Sequence, residues 1–153
     1  MATPPPDAAL RDWAIARYQS DPQVRSTCLQ LQDEHGVDVV SLLALWWACA
    51  QGRHTDPGFA AWVTSTRDWS DDVVAPLRRA RRAIPPGPLR EQLATAEVAA
   101  EVDQLDQLAA TAPPVGGSPA GAAELVAQAL ELLVARDDGM SARRLLGALA
   151  EAG

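Results

Sequence analysis

The chain contains no lysine: its 13 basic residues are all arginine, set against 20 acidic ones for a formal charge of −7. An excess of that sign opposes general adhesion to nucleic acid or to anionic membrane, so any such contact has to come from a local basic patch. Two cysteines, Cys28 and Cys49, are too few for a disulfide framework or a cysteine-rich zinc site, and both fall in apolar helical patterns, where they read as buried thiols. The two histidines, His35 and His54, belong to no E-x-x-H or H-E-x-x-H arrangement, so a di-iron bundle or zinc hydrolase lacks its ligands and no metal or other cofactor is expected. The glycine-rich phosphate and dinucleotide loops and the G-x-S-x-G elbow are missing. No stretch alternates at period two for long enough to make a strand. The start, MATPPPDAALRDW, offers no basic segment followed by an apolar one; the expectation is a cytoplasmic protein.

What the chain does have is one segment without a polar side. From Asp38 to Gln51, DVVSLLALWWACAQ, only Ser41 interrupts the apolar run, so a helix here has no solvent face and must be wrapped by others. The run is well short of the ~20 residues that span a bilayer, so no membrane partner is expected. Trp46 and Trp47 point about 100° apart on such a helix and need two separate walls.

The remaining segments read as helices around that core, and the fold class is all-α, a compact bundle around a central buried helix at about 38–51. Asp7 stands at a cap position before a first helix carrying Leu10, Trp13, Ala14 and Tyr18 and ending near Ser20. Asp21 and Pro22 start a second, with Val24, Cys28, Leu31 and His35 in its stripe and Gly36 to end it. Asp38 caps the central helix; Gly52 ends it. From Pro57 to Ile84 one period is kept, implying a long helix with a kink at Pro76 or a break capped by Ser70. After Pro85–Pro88 a helix runs from Leu89 to Ala110. A Pro/Gly-rich linker at 111–119 then separates a bundle domain, 7–110, from a C-terminal helical hairpin, 120–152, whose first helix starts at Ser118 and Pro119 and ends at Gly139. Ser141 caps the last helix, with Met140 and Leu145 placed as a hydrophobic staple.

Three groups of residues invite a function. Arg78, Arg79, Arg82 and Arg90 form a candidate interaction surface for an acidic or phosphate-bearing partner. Arg81 lies on the apolar side of its helix, and the next helix, returning antiparallel, offers Glu97 or Glu101 as a bidentate partner, a structural polar pair. His35, Asp38, Trp46 and Trp47 form a candidate pocket; a histidine and a carboxylate beside one turn make a base and its orienting group, but no nucleophile accompanies them, and the expected catalytic set is empty.

Taken together, LRDWAIARYQSDPQVRSTCLQLQDEHGVDVVSLLALWWACAQGR, VVAPLRRARRA and AEVAAEVDQL give the pattern LQ-D-x-H-G-x-D-V, PLR-x-x-R and A-E-x-x-x-E over residues 10 to 110. In this the chain resembles an uncharacterised proteobacterial family of short all-helical proteins, a domain of unknown function. The resemblance implies a helical bundle and a bacterial origin, and supplies no reaction. The expected function is a non-enzymatic cytoplasmic protein acting through protein–protein contacts, with itself or another protein, by way of the arginine cluster, the C-terminal pair or both. The alternatives are an RNA- or ribosome-associated module built on the Arg78–Arg82 patch, and a small-molecule binding protein or enzyme with a pocket near His35, Trp46 and Trp47.

Overall fold

A computed structural model describes residues 8–135 and 139–152. Among these the chain is helical and has no strand: α1 (Leu10–Ser20), α2 (Pro22–His35), α3 (Val39–Ala50), α4 (Phe59–Val63), α5 (Arg67–Trp69), a π turn (Ser70–Val74), α6 (Ala75–Ala83), α7 (Pro88–Ala110), α8 (Ala122–Leu133) and α9 (Gly139–Glu151). No described helix is long and apolar enough to cross a membrane.

α3 is the axis. Every residue from Val40 to Cys49 is buried, and the helices around it share one apolar cluster. Its entry is fixed by Asp38, whose Oδ1 accepts the Val40 N–H at 3.2 Å. Asp21 caps α2 in the same way, accepting from Gln23 N at 2.9 Å, and Gly36 closes α2 in the left-handed conformation at φ 62°. The adjoining indoles of α3 do meet two walls. Trp46 stacks edge to face on Trp13 of α1 at 5.4 Å, and the buried Arg17 guanidinium lies 4.4 Å over it. Trp47 donates its indole N–H to Ala8 O at 2.9 Å and packs against Trp62 of α4.

The long helix expected from Pro57 to Ile84 is interrupted twice. After Val63 the chain breaks, because Thr64 Oγ1 turns back to Ala60 O at 3.1 Å and Ser65 Oγ to Trp62 O at 2.7 Å, competing with helix propagation. Ser70 is not a cap: its backbone is helical, and it opens the π turn, in which Ala75 N–H reaches back to Ser70 O. This wide turn lies immediately before Pro76, which has no N–H to give to the preceding turn, so the irregularity falls at the proline as expected and takes the form of a π turn.

The segment after α7 is held in place. Gly116 N and Gly117 N donate to Gly52 O at 3.1 and 3.0 Å, Ala120 N to Cys49 O at 2.9 Å, and Arg53 Nη1 to Pro113 O. The orphan carbonyls at the end of α3 are thereby satisfied by the linker. Gly52 takes φ 72°, and a Cβ there would meet Gly117 O at 2.0 Å, so only glycine fits. α8 then packs on α3 and α9 on α2, placing Leu125, Val126, Ala129, Leu145, Leu146 and Leu149 in the same core as Leu42 and Leu45. α8 starts after Gly121 and ends at Leu133, later and earlier than Ser118–Pro119 and Gly139 imply. Ser141 lies inside α9 and Met140 is 92% exposed, so neither the cap nor the staple forms. The cap position assigned to Asp7 lies outside the described residues; α1 begins after Ala9.

Candidate binding groove

α6 and α7 run back on one another, and their contact is organised by charge. Glu97, buried on α7, accepts from Arg78 Nε at 3.0 Å on Oε1 and from Arg81 Nε on Oε2, while Arg81 Nη2 reaches Oε1 at 3.4 Å. Arg78 Nη2 lies 3.5 Å from Glu101 Oε1. The hydrogen bonds that Arg81 donates to the Glu97 carboxylate hold its guanidinium above the ordinary arginine range. Burial pushes the Glu101 carboxyl up from its usual 4.5; Arg78 opposes this, and the charges of Glu97 and Asp38 add to it. Arg81, Glu97 and Glu101 thus stand together, with Arg78 as a fourth member.

That corrects the reading of Arg78 as a free cation: it sits one turn before Arg81 on the same helix face and shares Glu97. Arg82 is also taken up, its Nη2 lying 2.8 Å from Asp33 Oδ1, an exposed pair that lowers the Asp33 pKa through the hydrogen bond. Arg79 is exposed, and Arg90 donates to Ile84 O at 3.4 Å. The four arginines do not form a common patch of uncommitted charge.

His35, Asp38, Trp46 and Trp47 are not brought together. Asp38 stands at the N-terminus of α3 and the indoles two turns further, about 12 Å along the axis. Asp38 Oδ2 accepts Ser41 Oγ at 2.6 Å and Gln104 Nε2 at 2.6 Å, and Gln104 also donates to Thr66 Oγ1 at 3.0 Å. The carboxylate is spent on tying the start of α3 to α7, and Gln104 carries the link on to Thr66, just before α5. The His35 side chain is only 6% exposed, at the end of α2. A small cavity of about 150 Å³ borders Asp38, Ser41, Thr64 and Arg67, away from both indoles. Among the described residues no three His, Cys, Asp or Glu side chains are grouped to hold a metal ion. Burial raises both thiols, Cys28 and Cys49, to about 12, which makes them inert.

A larger concavity than this one lies elsewhere. A groove of about 440 Å³ runs between α1, α2 and α7, with α3 as its floor. Ala14 and Ile15, Leu29, Val39 and Leu43, and Val98 and Val102 form apolar walls; Leu29 and Val98 at its edge are 39% and 60% exposed. Its polar groups are few: Tyr18, Gln19, Gln32, Arg81, Glu97 and Glu101. Burial, followed by the neighbouring Cys28 thiol and the Glu101 carboxylate, holds the Tyr18 phenol above its ordinary range. Volume, apolar lining and a small convergent polar set are the attributes of a ligand site. The LQ-D, PLR-x-x-R and A-E-x-x-x-E motifs meet here through Gln32, Arg81, Glu97 and Glu101.

Sequence reasoning missed Tyr18, which had been placed only as a stripe residue, and Gln104. The latter had a signal: a fully buried glutamine between Ala100 and Leu108 at steps of four interrupts an apolar stripe.

A bundle built on one enclosed helix and indented by a single-sided apolar groove with an ion cluster in its wall belongs to the class of small all-α proteins. Residues 9–108 match a family described as Protein of unknown function (DUF2390), and the chain belongs to that family. No curated protein and no solved structure matches it. The match covers α1 to α7; α8 and α9 lie beyond it.

Proposed function

We propose that this chain is a non-enzymatic cytoplasmic binding protein whose recognition surface is the groove between α1, α2 and α7. The observation that carries this is the groove itself: about 440 Å³, apolar, open, and walled by side chains fixed through the Glu97 ion cluster. The arginine cluster and the C-terminal helical pair support protein contacts less well. Arg78 and Arg82 are occupied by Glu97 and Asp33, and the apolar faces of α8 and α9 are turned into their own bundle. The same pairing weakens an RNA-associated role, which needs those cations free. The reading is of a carrier or sensor that takes up the apolar part of a guest.

N-phenyl-1-naphthylamine, an uncharged apolar dye, tests this. Its emission should rise saturably with the intact protein and not with Ala94→Trp, which puts an indole into the groove from α7. Equal enhancement by both proteins would place the dye elsewhere and refute the assignment.

A further inference from the structure

The groove is not symmetric in charge, and that asymmetry selects a guest. Both guanidinium groups of the cluster are directed at one carboxylate: Arg78 Nε and Arg81 Nη2 on Glu97 Oε1, Arg81 Nε on Oε2. Glu101, one turn further along α7 and also in the groove wall, receives only Arg78 Nη2 at 3.5 Å, long for a good N–H···O bond, and its Oε2 accepts no hydrogen bond among the described residues. Of the charged side chains that line the groove, one is an arginine, Arg81, and two are carboxylates, Glu97 and Glu101, within a chain of net charge −7. The Glu101 side chain is 35% exposed and therefore reachable from the groove.

We infer that the groove binds a small amphipathic amine, its aliphatic part along Leu29, Leu43, Val98 and Val102 and its ammonium head on the Glu101 carboxylate beside Tyr18. This rests on the groove being the recognition surface. An anionic head meets the surplus negative charge; an uncharged one forgoes the charge-assisted bond. Burial is the main cause that pushes the Glu101 pKa up; Arg78 opposes it and the charges of Glu97 and Asp38 add to it, so that a bound cation offsets the last two. A free amine fits better than a lysine of a partner chain, because the volume is that of a small-molecule site.

Octylammonium, 1-octanol and octanoate, matched in length and used below their micellar concentrations, are titrated into the full chain and followed through the methyl resonances of Leu29, Leu43, Val98 and Val102. Octylammonium should bind roughly ten-fold or more tightly than the other two, the effect of one charge-assisted hydrogen bond. Glu101→Gln should remove that preference, so that octylammonium binds no more tightly than octanol. Circular dichroism confirms that the variant is folded, and Ala94→Trp should abolish binding of all three. Equal affinities in the wild type, a preference for octanoate, or a preference that survives Glu101→Gln overturns the inference and leaves the groove a binding site. N-acetyl-lysine amide binding as tightly as octylammonium overturns it in favour of a partner's lysine. If none of the probes shifts the groove methyls, the reading of the groove as the recognition surface fails with it.

Discussion

Two regions of the family domain present apolar side chains outward from α3, and only one is covered by the chain's own tail. On the first, α8 and α9 lie against α3 and α2, and Ala129, Ala142 and Leu149 are almost fully buried. On the second, between α1, α2 and α7, Leu29 and Val98 remain exposed over a concavity. The covered side shares the apolar cluster of Leu125, Val126, Ala129, Leu145, Leu146 and Leu149; the open side is bordered by Arg81, Glu97 and Glu101. A surface meant only to be buried is filled with hydrocarbon, whereas one that keeps charged groups in its wall pays for specificity in stability.

The largest test of this contrast is to remove the cover. A chain cut after Ala110 loses Leu125, Val126, Leu145, Leu146 and Leu149 from the core, roughly 7–15 kcal/mol at ~1.5–3 kcal/mol for each large side chain. That approaches the whole stability of a typical domain, so the cut chain should fail to unfold cooperatively in urea. A shared midpoint with the intact protein would show that the two regions are equally dispensable. Next, Leu146→Ala, 2% exposed, should cost ~2–5 kcal/mol by chemical denaturation. Gly52→Ala should cost roughly 3 kcal/mol, combining left-handed strain with the clash on Gly117, and should loosen the tail in hydrogen exchange before the rest. In the other region, Glu97→Ala leaves Arg78 and Arg81 half-buried without their partner and should cost roughly 3 kcal/mol. Ala94→Trp fills space that is already open and should change the midpoint by less than ~1 kcal/mol.

The smallest effect concerns pH. Glu101 has its folded pKa raised above 4.5, so the folded state holds that proton more tightly than the unfolded chain. Above the raised value the ionised carboxylate opposes folding; the opposition fades as pH falls through that value and is gone below 4.5. Glu101→Gln should therefore be slightly more stable than the wild type near neutrality, with the difference in Tm closing toward pH 4. A difference that grows on acidification would mean that the carboxylate is stabilised where it stands.

Much of this architecture can be read from single residues. A run without a polar side compels an enclosed α3, and Asp21, Gly36, Asp38 and Gly52 mark ends because each supplies a missing acceptor or a left-handed backbone. Local competition is harder to see: Thr64 and Ser65 fall between members of the apolar stripe and leave its period intact, yet their hydroxyls claim carbonyls that a continuous helix needs. The helical spacing brings Arg81 opposite Glu97, but that Arg78 joins it depends on the angle between α6 and α7. The groove was not legible at all, since it is made of gaps between α1, α2, α3 and α7, and a gap is set by distances that no periodicity encodes. The tail could be identified as amphipathic but not assigned a place, because its docking depends on backbone donors at 116, 117 and 120.

Three indoles fasten separate parts of the chain to main-chain oxygens: Trp47 to Ala8, Trp62 to Leu108 and Trp69 to Ala100. A main-chain acceptor survives replacement of its own side chain, so these fastenings tolerate drift at positions 8, 100 and 108 as long as the backbone path is kept. Each also carries its own optical reporter. If α7 were to swing away when a guest enters, the emission of Trp62 and Trp69 would shift to the red while that of Trp47 stayed, and the protein would announce which of its seams had opened.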